Sequence, residues 1–262
     1  YIYSTKIMKI SILGLGYVGF PVLLALSQKT NHSIQGFDID AKKIEEIQKG
    51  IAPISDKLVV DEFAEYDGKL NVSGEEKDIA DSDIFIVCVP TPIDTDYEPD
   101  YKPLIGASKM VAEHMKKGSI VVVESTINPG TCEEVVAPVL ESASKLTMNK
   151  DFDIVHAPER INPGDNKWTV YNIARNVGGS RIEAAEKVQK LYKEFIDAEV
   201  QVVSNLKVAE SSKIVENSFR DLNIAFVNEL AKSFDAMGVD LTETISAASN
   251  KPFGYMPFWP GP

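Results

Sequence analysis

Short apolar runs rich in β-branched residues alternate along this chain with amphipathic stretches of helical period, from near its start to residue 203. The runs predict strands over residues 9–13, 34–38, 70–73, 84–89, 119–124, 153–156, 175–178 and 200–203. Between them, helical spacing covers residues 41–49, ended by Gly50, residues 104–117, ended by Gly118, and residues 181–196. Such alternation predicts an α/β fold, a doubly wound and mostly parallel sheet with helices on both faces, whose ligands gather at the carboxyl ends of the strands. Beyond residue 203 no strand signal remains. Residues 206–237 read as one uninterrupted helix, about 45 Å long and longer than one small domain needs for its own core. The expected division is therefore residues 1–203 and residues 204–262.

The first strand leads directly into Gly14-Leu-Gly16-Tyr17-Val18-Gly19 and then into a helical pattern. Gly14 permits a tight turn, Gly16 leaves room for phosphates to approach the backbone, and Gly19 lets helix and strand pack closely. The first-turn amides and the helix dipole then face an anion. Taken alone, G-x-G-x-x-G is an ordinary strand-to-helix turn. Here Asp38 closes the second strand, where its carboxylate can accept from the adenosine ribose of a dinucleotide. Strand, turn, helix and acid in this order predict a Rossmann-like NAD site. A carboxylate would repel a 2′-phosphate, favouring NAD over NADP, while Lys42 and Lys43 close by temper that preference.

A net charge of −12, spread along the 262 residues, argues against a nucleic-acid partner and requires any anionic substrate to be held by local donors. No apolar stretch approaches a membrane span and no secretory pattern opens the sequence, so the default expectation is a cytoplasmic protein. Cys88 and Cys132 form neither a disulfide framework nor a metal-ligand spacing, and His32, His114 and His156 are isolated. Cys88 reads as a buried strand residue. Cys132 lies at a helix start, where a dipole can lower a thiol pKa, yet no nearby histidine would activate it, and a structural role is expected.

Three loops at the expected ligand edge carry distinctive chemistry. They are Pro90-Thr91-Pro92, then Glu124-Ser125-Thr126-Ile127-Asn128-Pro129-Gly130-Thr131, then Pro158-Glu159-Arg160-Ile161-Asn162-Pro163-Gly164-Asp165. Singly each is turn chemistry; together they are polar and proline-stiffened at one sheet edge. On the long helix, Lys213 and Asn217 lie four apart and share a face with the reach to position a hydroxyl or water beside a nicotinamide. For most helical lysines the simpler reading, a solvated polar face, is correct.

In these elements, their order and their spacing, the chain resembles the nucleotide-sugar 6-dehydrogenase family over essentially its whole length. The elements are the glycine turn, Val89-Pro90-Thr91-Pro92, Ser125-Thr126 with Pro129-Gly130-Thr131, Pro158-Glu159, and Lys213 with Asn217. The resemblance implies NAD-dependent, four-electron oxidation of a sugar C6 hydroxyl to a carboxylate. It implies cofactor contacts from Gly14, Gly16, Tyr17, Val18, Gly19, Asp38, Lys43, Pro90, Thr91, Ser125 and Thr126. By resemblance Lys213 and Asn217 orient a water and stabilise charge developing on oxygen, Glu159 serves as acid or base, and Thr126 helps order the water. Arg160, Ile161 and Asn162 belong to a substrate-holding loop, and Arg220 and Phe253 are further substrate residues. The segments 159–165 and 250–262 are similar to the branch acting on UDP-N-acetylglucosamine or UDP-N-acetylgalactosamine in capsule and O-antigen synthesis. The family also makes the long helix a dimerisation element, so a homodimer is expected.

One departure stands beside these matches. Family members carry a nucleophilic cysteine in a Gly-Gly-His-Cys-like segment just beyond a proline- and glycine-rich loop, whereas this sequence stops at Pro262 inside that loop. It also begins at Tyr1. The expectation is a cofactor-binding portion without the family's UDP-sugar-binding C-terminal domain, inactive by itself. Two other readings stay open at this point. One is a β-hydroxyacid dehydrogenase, which makes a single hydride transfer; the other is a noncatalytic NAD-binding or assembly module.

Overall fold

The computed structural model describes residues 7–161 and 167–261. Its strands form an eight-stranded sheet in the order β3-β2-β1-β4-β5-β6-β7-β8. They are β1 (Lys9–Leu13), β2 (Ser33–Phe37), β3 (Val72–Ser73), β4 (Ile84–Val87), β5 (Ile120–Val123), β6 (Asp153–His156), β7 (Arg175–Gly179) and β8 (Val200–Val203). Strands β1 to β6 pair in parallel, as predicted. Strands β7 and β8 are parallel to each other, and β7 is antiparallel to β6. The order in which successive strands are added reverses between β1 and β4, which opens the crevice where ligands of such sheets bind. Because β7 runs the other way, its first residue, Arg175, reaches the edge at which β4, β5 and β6 end.

The central strands are apolar on both faces because both faces are covered. Ile10, Ile12, Ile84, Ile86, Ile120, Val122 and Val155 enter one core with helices α1 (Gly19–Lys29) and α6 (Ile182–Tyr192). Leu13, Phe85, Val87, Val121, Val123 and Ile154 enter the other, with α4 (Lys102–His114) and α5 (Ala137–Ser144). Helices α2 (Ala41–Gln48) and α3 (Lys57–Glu65) start on side-chain caps, Asp40 and Asp56. Helix α3 lies in a stretch for which the sequence pattern predicts no element. His156 is fully buried, and burial pushes its pKa down to about 3, so it is neutral at physiological pH.

Helix α7 spans Leu206–Met237, as its sequence pattern predicts. It starts on Asn205, whose Oδ1 accepts the Val208 N–H at 3.0 Å. The helix start lies so close to β7 that a Cβ on Gly178 would stand 2.3 Å from the Asn205 carbonyl oxygen. A first compact unit extends to Ser211, and a second runs from Ser212. Within the second, α7 stops at Gly238, at φ +68°, with Val239 N–H donating back to the Phe234 carbonyl at 2.9 Å. Helix α8 (Leu241–Ala248) follows, capped by Asp240. The segment after it folds back on α7: Asn228 exchanges two hydrogen bonds with Gly261, and the Phe219 and Phe258 rings meet edge to face at 5.6 Å. Among the described residues no helix is long and apolar enough to cross a membrane.

Candidate cofactor and active site

The glycine turn has the shape that a dinucleotide needs. Gly14, at φ +91°, lies against the chain leaving β4: a Cβ there would stand 2.8 Å from the Cys88 carbonyl oxygen. A Cβ on Gly19 would come 1.9 Å from the Gly14 carbonyl oxygen, so this position admits no side chain while the turn keeps its shape. At Gly16 a Cβ would meet nothing within 4 Å, which leaves an open approach to the backbone. Helix α1 has no side-chain cap, so its first-turn amides are not claimed by a capping group. These features fit a pyrophosphate.

Asp38, directly after β2, is nearly buried and already engaged. Its Oδ2 accepts from Leu15 N–H at 2.7 Å and from Lys43 Nζ at 2.6 Å, and its Oδ1 accepts from Asp40 N–H at 2.9 Å. A carboxylate has about four acceptor positions, so Oδ1 retains capacity for a ribose hydroxyl. The carboxylate is thus held in place before any ligand arrives, and Lys43 partly offsets its charge. Tyr17 is half exposed, its hydroxyl 2.8 Å from Ser55 Oγ. Val18 is partly buried beside the core that contains α1.

The loops after β4 and β5 are bonded to each other. Ser125 Oγ donates to the Val89 carbonyl at 2.6 Å and Thr91 Oγ1 to the Thr126 carbonyl at 2.7 Å, beside exposed Pro90. The hydroxyls expected to meet ligand therefore also hold the two loops in register. Farther along the same segment, Glu210 of α7 is fully buried and accepts from Gly130 N–H at 2.6 Å and Cys132 N–H at 2.9 Å. This carboxylate satisfies donors at the start of the Cys132–Val136 π-turn that leads into α5. Losing two buried charge-assisted hydrogen bonds is expected to cost Glu210→Ala about 3 kcal/mol in urea denaturation, and Glu210→Gln less. Cys132 is buried, and burial followed by the nearby Glu210 charge raises its thiol pKa well above the usual value. The helix start therefore does not activate it. Cys88 is likewise buried and raised, foremost by burial.

Glu159 follows β6. Its Oε1 accepts from the N–H groups of Arg160 at 2.6 Å and Ile161 at 2.7 Å, while Oε2 pairs with Arg175. Arg160 Nη1 donates to the Ala174 carbonyl at 3.2 Å. Arg175 is fully buried and also stands 3.3 Å, Nη1 to Oε2, from Glu124, which in turn accepts from the Tyr192 hydroxyl. Sequence reasoning assigned no role to Arg175, Glu124 or Tyr192. The available signal was a charge opening an otherwise apolar strand. Burial pushes the Glu124 pKa up to about 6; Arg175 opposes the rise and Glu159 adds to it. Arg175 is raised: burial works against its charge, and the Glu159 and Glu124 carboxylates outweigh that effect.

Of the expected site residues, Gly14 to Gly19, Asp38, Lys43, Pro90, Thr91, Ser125, Thr126, Glu159, Arg160 and Ile161 lie in loops leaving the carboxyl ends of parallel strands, or in the helix after one. Asn162 is outside the described residues. Lys213, Asn217 and Arg220 follow at intervals of four and three on α7 and so share one helical face. Lys213 and Asn217 are half-buried and Arg220 is exposed. Phe253 is exposed, with Lys251 Nζ 5.0 Å from its ring centre. No cluster of metal-ligating side chains occurs among the described residues.

UDP-N-acetyl-D-glucosamine 6-dehydrogenase of Pseudomonas aeruginosa is 43% identical to this chain over 258 residues, covering 98% of the chain and 60% of that protein. UDP-N-acetyl-D-mannosamine dehydrogenase of Pyrococcus horikoshii is 39% identical, covering 94% and 58%. The solved structure of UDP-D-ManNAc dehydrogenase from Pyrococcus horikoshii superposes with a TM-score of 0.88 at 37% identity, covering 94% of this chain and 59% of that one. The chain thus spans about 60% of the length of such relatives. Residues 8–196 match the NAD binding domain, and residues 207–262 the central domain, of one family of NAD-dependent enzymes. With its glycine turn, its poised Asp38 and its sheet order, the chain belongs to the UDP-glucose/GDP-mannose dehydrogenase family.

Proposed function

We propose that this chain is the cofactor-binding portion of a cytoplasmic enzyme that oxidises the C6 hydroxyl of a UDP-N-acetylhexosamine, of gluco or galacto type, to the uronate for capsule or O-antigen synthesis. The observation that carries the reading is the meeting of an NAD-type glycine turn and a fixed acidic loop, Glu159-Arg160-Ile161, at one sheet edge. The bound nicotinamide would accept a hydride from C6. Overall, one primary alcohol, one water and two NAD⁺ give one carboxylate, two NADH and three protons. In this chain Thr126 orders the water and Glu159 exchanges protons with it. Lys213 and Asn217 orient water and stabilise charge developing on oxygen. Arg160, Ile161, Asn162, Arg220 and Phe253 hold the sugar nucleotide. The reading also includes a homodimer through α7. Its support is the row Val215, Phe219, Leu222 and Phe226, spaced as one helical stripe and exposed by 66%, 49%, 68% and 58%.

The test is stoichiometric. The protein carrying this chain is expected to release two NADH per sugar from UDP-N-acetylglucosamine or its galacto epimer, with the manno epimer assayed beside them. One NADH per sugar would overturn the four-electron reading. Titration calorimetry of the chain itself is expected to show NAD binding at least about tenfold tighter than NADP.

A further inference from the structure

Five elements bring ionisable groups to one buried place below the ligand edge. They are Cys88 after β4, Glu124 after β5, Glu159 after β6, Arg175 on β7 and Tyr192 at the end of α6. Arg175 sits between the two carboxylates, and the Tyr192 hydroxyl donates to the Glu124 oxygen that does not face Arg175. With both carboxylates ionised, the one guanidinium leaves the cluster a net anion. A buried ion cluster is a poor device for stability, because its desolvation cost rivals its attraction. An isolated Arg175–Glu159 pair would already satisfy charge balance, and Glu124 makes the balance worse. Its presence calls for another explanation. None of Glu124, Arg175 and Tyr192 belongs to the glycine turn or to the ribose acceptor.

We propose that Arg175, with Glu124 as its second counter-ion, is a positioning residue that fixes the Glu159 carboxylate and, through it, the amides of Arg160 and Ile161 in a single orientation at the sheet edge. The geometry is specific to arginine. Nη2 of the planar guanidinium hydrogen-bonds Glu159 while Nη1 stands 3.3 Å from Glu124 as an ion pair, and a lysine has only a point charge to divide between them. Oxygen Oε1 of Glu159 is thereby left aimed at two successive backbone N–H groups. Glu124 prevents full neutralisation of Glu159. Burial raises the Glu124 carboxyl to about 6, opposed by Arg175 and reinforced by the Glu159 charge, so Glu124 retains affinity for a proton beside the Glu159 carboxylate. Cys88 and Tyr192 also face this pair, but burial holds both thiol and phenol protonated there. This role deepens the acid–base reading of Glu159 and rests on it.

The test uses the whole chain with glutamate labelled at the side-chain carboxyl carbon, in parallel with amide hydrogen exchange. In the unaltered protein one buried carboxyl is expected to titrate near pH 6. Glu124→Gln should abolish that titration while leaving the Arg160 and Ile161 amides protected. Arg175→Lys should speed exchange at those two amides at least tenfold, with the Ile10 and Ile12 amides of β1 unchanged as internal references. Unchanged protection at Arg160 and Ile161 in Arg175→Lys, or persistence of the titration in Glu124→Gln, would overturn the proposal. Since Glu124→Gln keeps the Arg175–Glu159 pair, it folds and decides the titration arm even where Arg175→Lys does not. NAD binding measured on the same unaltered sample separates the two readings: its absence would sink the cofactor assignment and leave the positioning result standing.

Discussion

Gly19→Ala is expected to lose about 3 kcal/mol of folding stability, read as an earlier midpoint in guanidinium denaturation, together with all measurable NAD affinity. The new methyl group would lie 1.9 Å from the Gly14 carbonyl oxygen and 3.0 Å from Cys88 Cβ, so the turn, the start of α1 and the chain leaving β4 must all separate. The neighbouring Gly16→Ala is expected to behave oppositely. Its methyl group meets no protein atom within 4 Å, so stability should stay within about 0.5 kcal/mol of the parent. Its NAD affinity should nevertheless fall at least about tenfold, because that space is where the pyrophosphate must approach the backbone. Equal denaturation midpoints for Gly19→Ala and its parent would contradict the packing described for the turn. Unaltered NAD binding by Gly16→Ala would show that the cofactor takes another path.

Arg175→Met should cost about 3–5 kcal/mol near neutral pH, since it strands Glu124 and Glu159 as uncompensated buried anions. Acid should restore part of the loss by protonating them. Glu124→Gln tests the same electrostatics with the opposite sign. The Glu124 pKa is raised on folding from 4.5 to about 6, so the folded protein disfavours its charged form. The stability attached to that rise is fully present below 4.5 and is lost as pH climbs through about 6. A neutral glutamine escapes the loss. At about pH 8 the variant should therefore exceed its parent by up to about 2 kcal/mol, the difference vanishing toward pH 4.5. Comparison of variant with parent cancels the contribution of neutral, buried His156. A difference independent of pH would mean that Glu124 is not the group whose charge is resisted.

Much of the fold, with its glycine turn, was legible because the signals are local. The β1–glycine turn–α1 unit, the eight strands and the extent of α7 all follow from periodicities within a few residues of one another. Strand ends drifted where apolar residues continue past the ladder. Cys88 still donates its N–H to Leu13, yet β4 ends at Val87. The sequence masks helix α3, because Leu58, Val59 and Val60 form a continuous apolar run that hides the helical spacing of Val59 and Phe63. The partners of Glu159 and Asp38 that come from distant parts of the chain were not legible. Arg175 meets Glu159 only because β7 pairs antiparallel with β6, and the Leu15 N–H meets Asp38 only because two strand ends lie side by side. Register across a sheet is a tertiary fact, and a single sequence carries no direct mark of it.

The two thiols have a use that has nothing to do with catalysis. Cys88 belongs to the core on the α1 and α6 face of the sheet, and Cys132 to the core on the α4 and α5 face. Each is shut away from solvent and kept protonated, so a thiol-labelling reagent can reach either one only during an opening of its own layer. Nature has thus placed one timer in each half of the sandwich, and the ratio of their labelling rates reports whether the layers breathe together or one at a time.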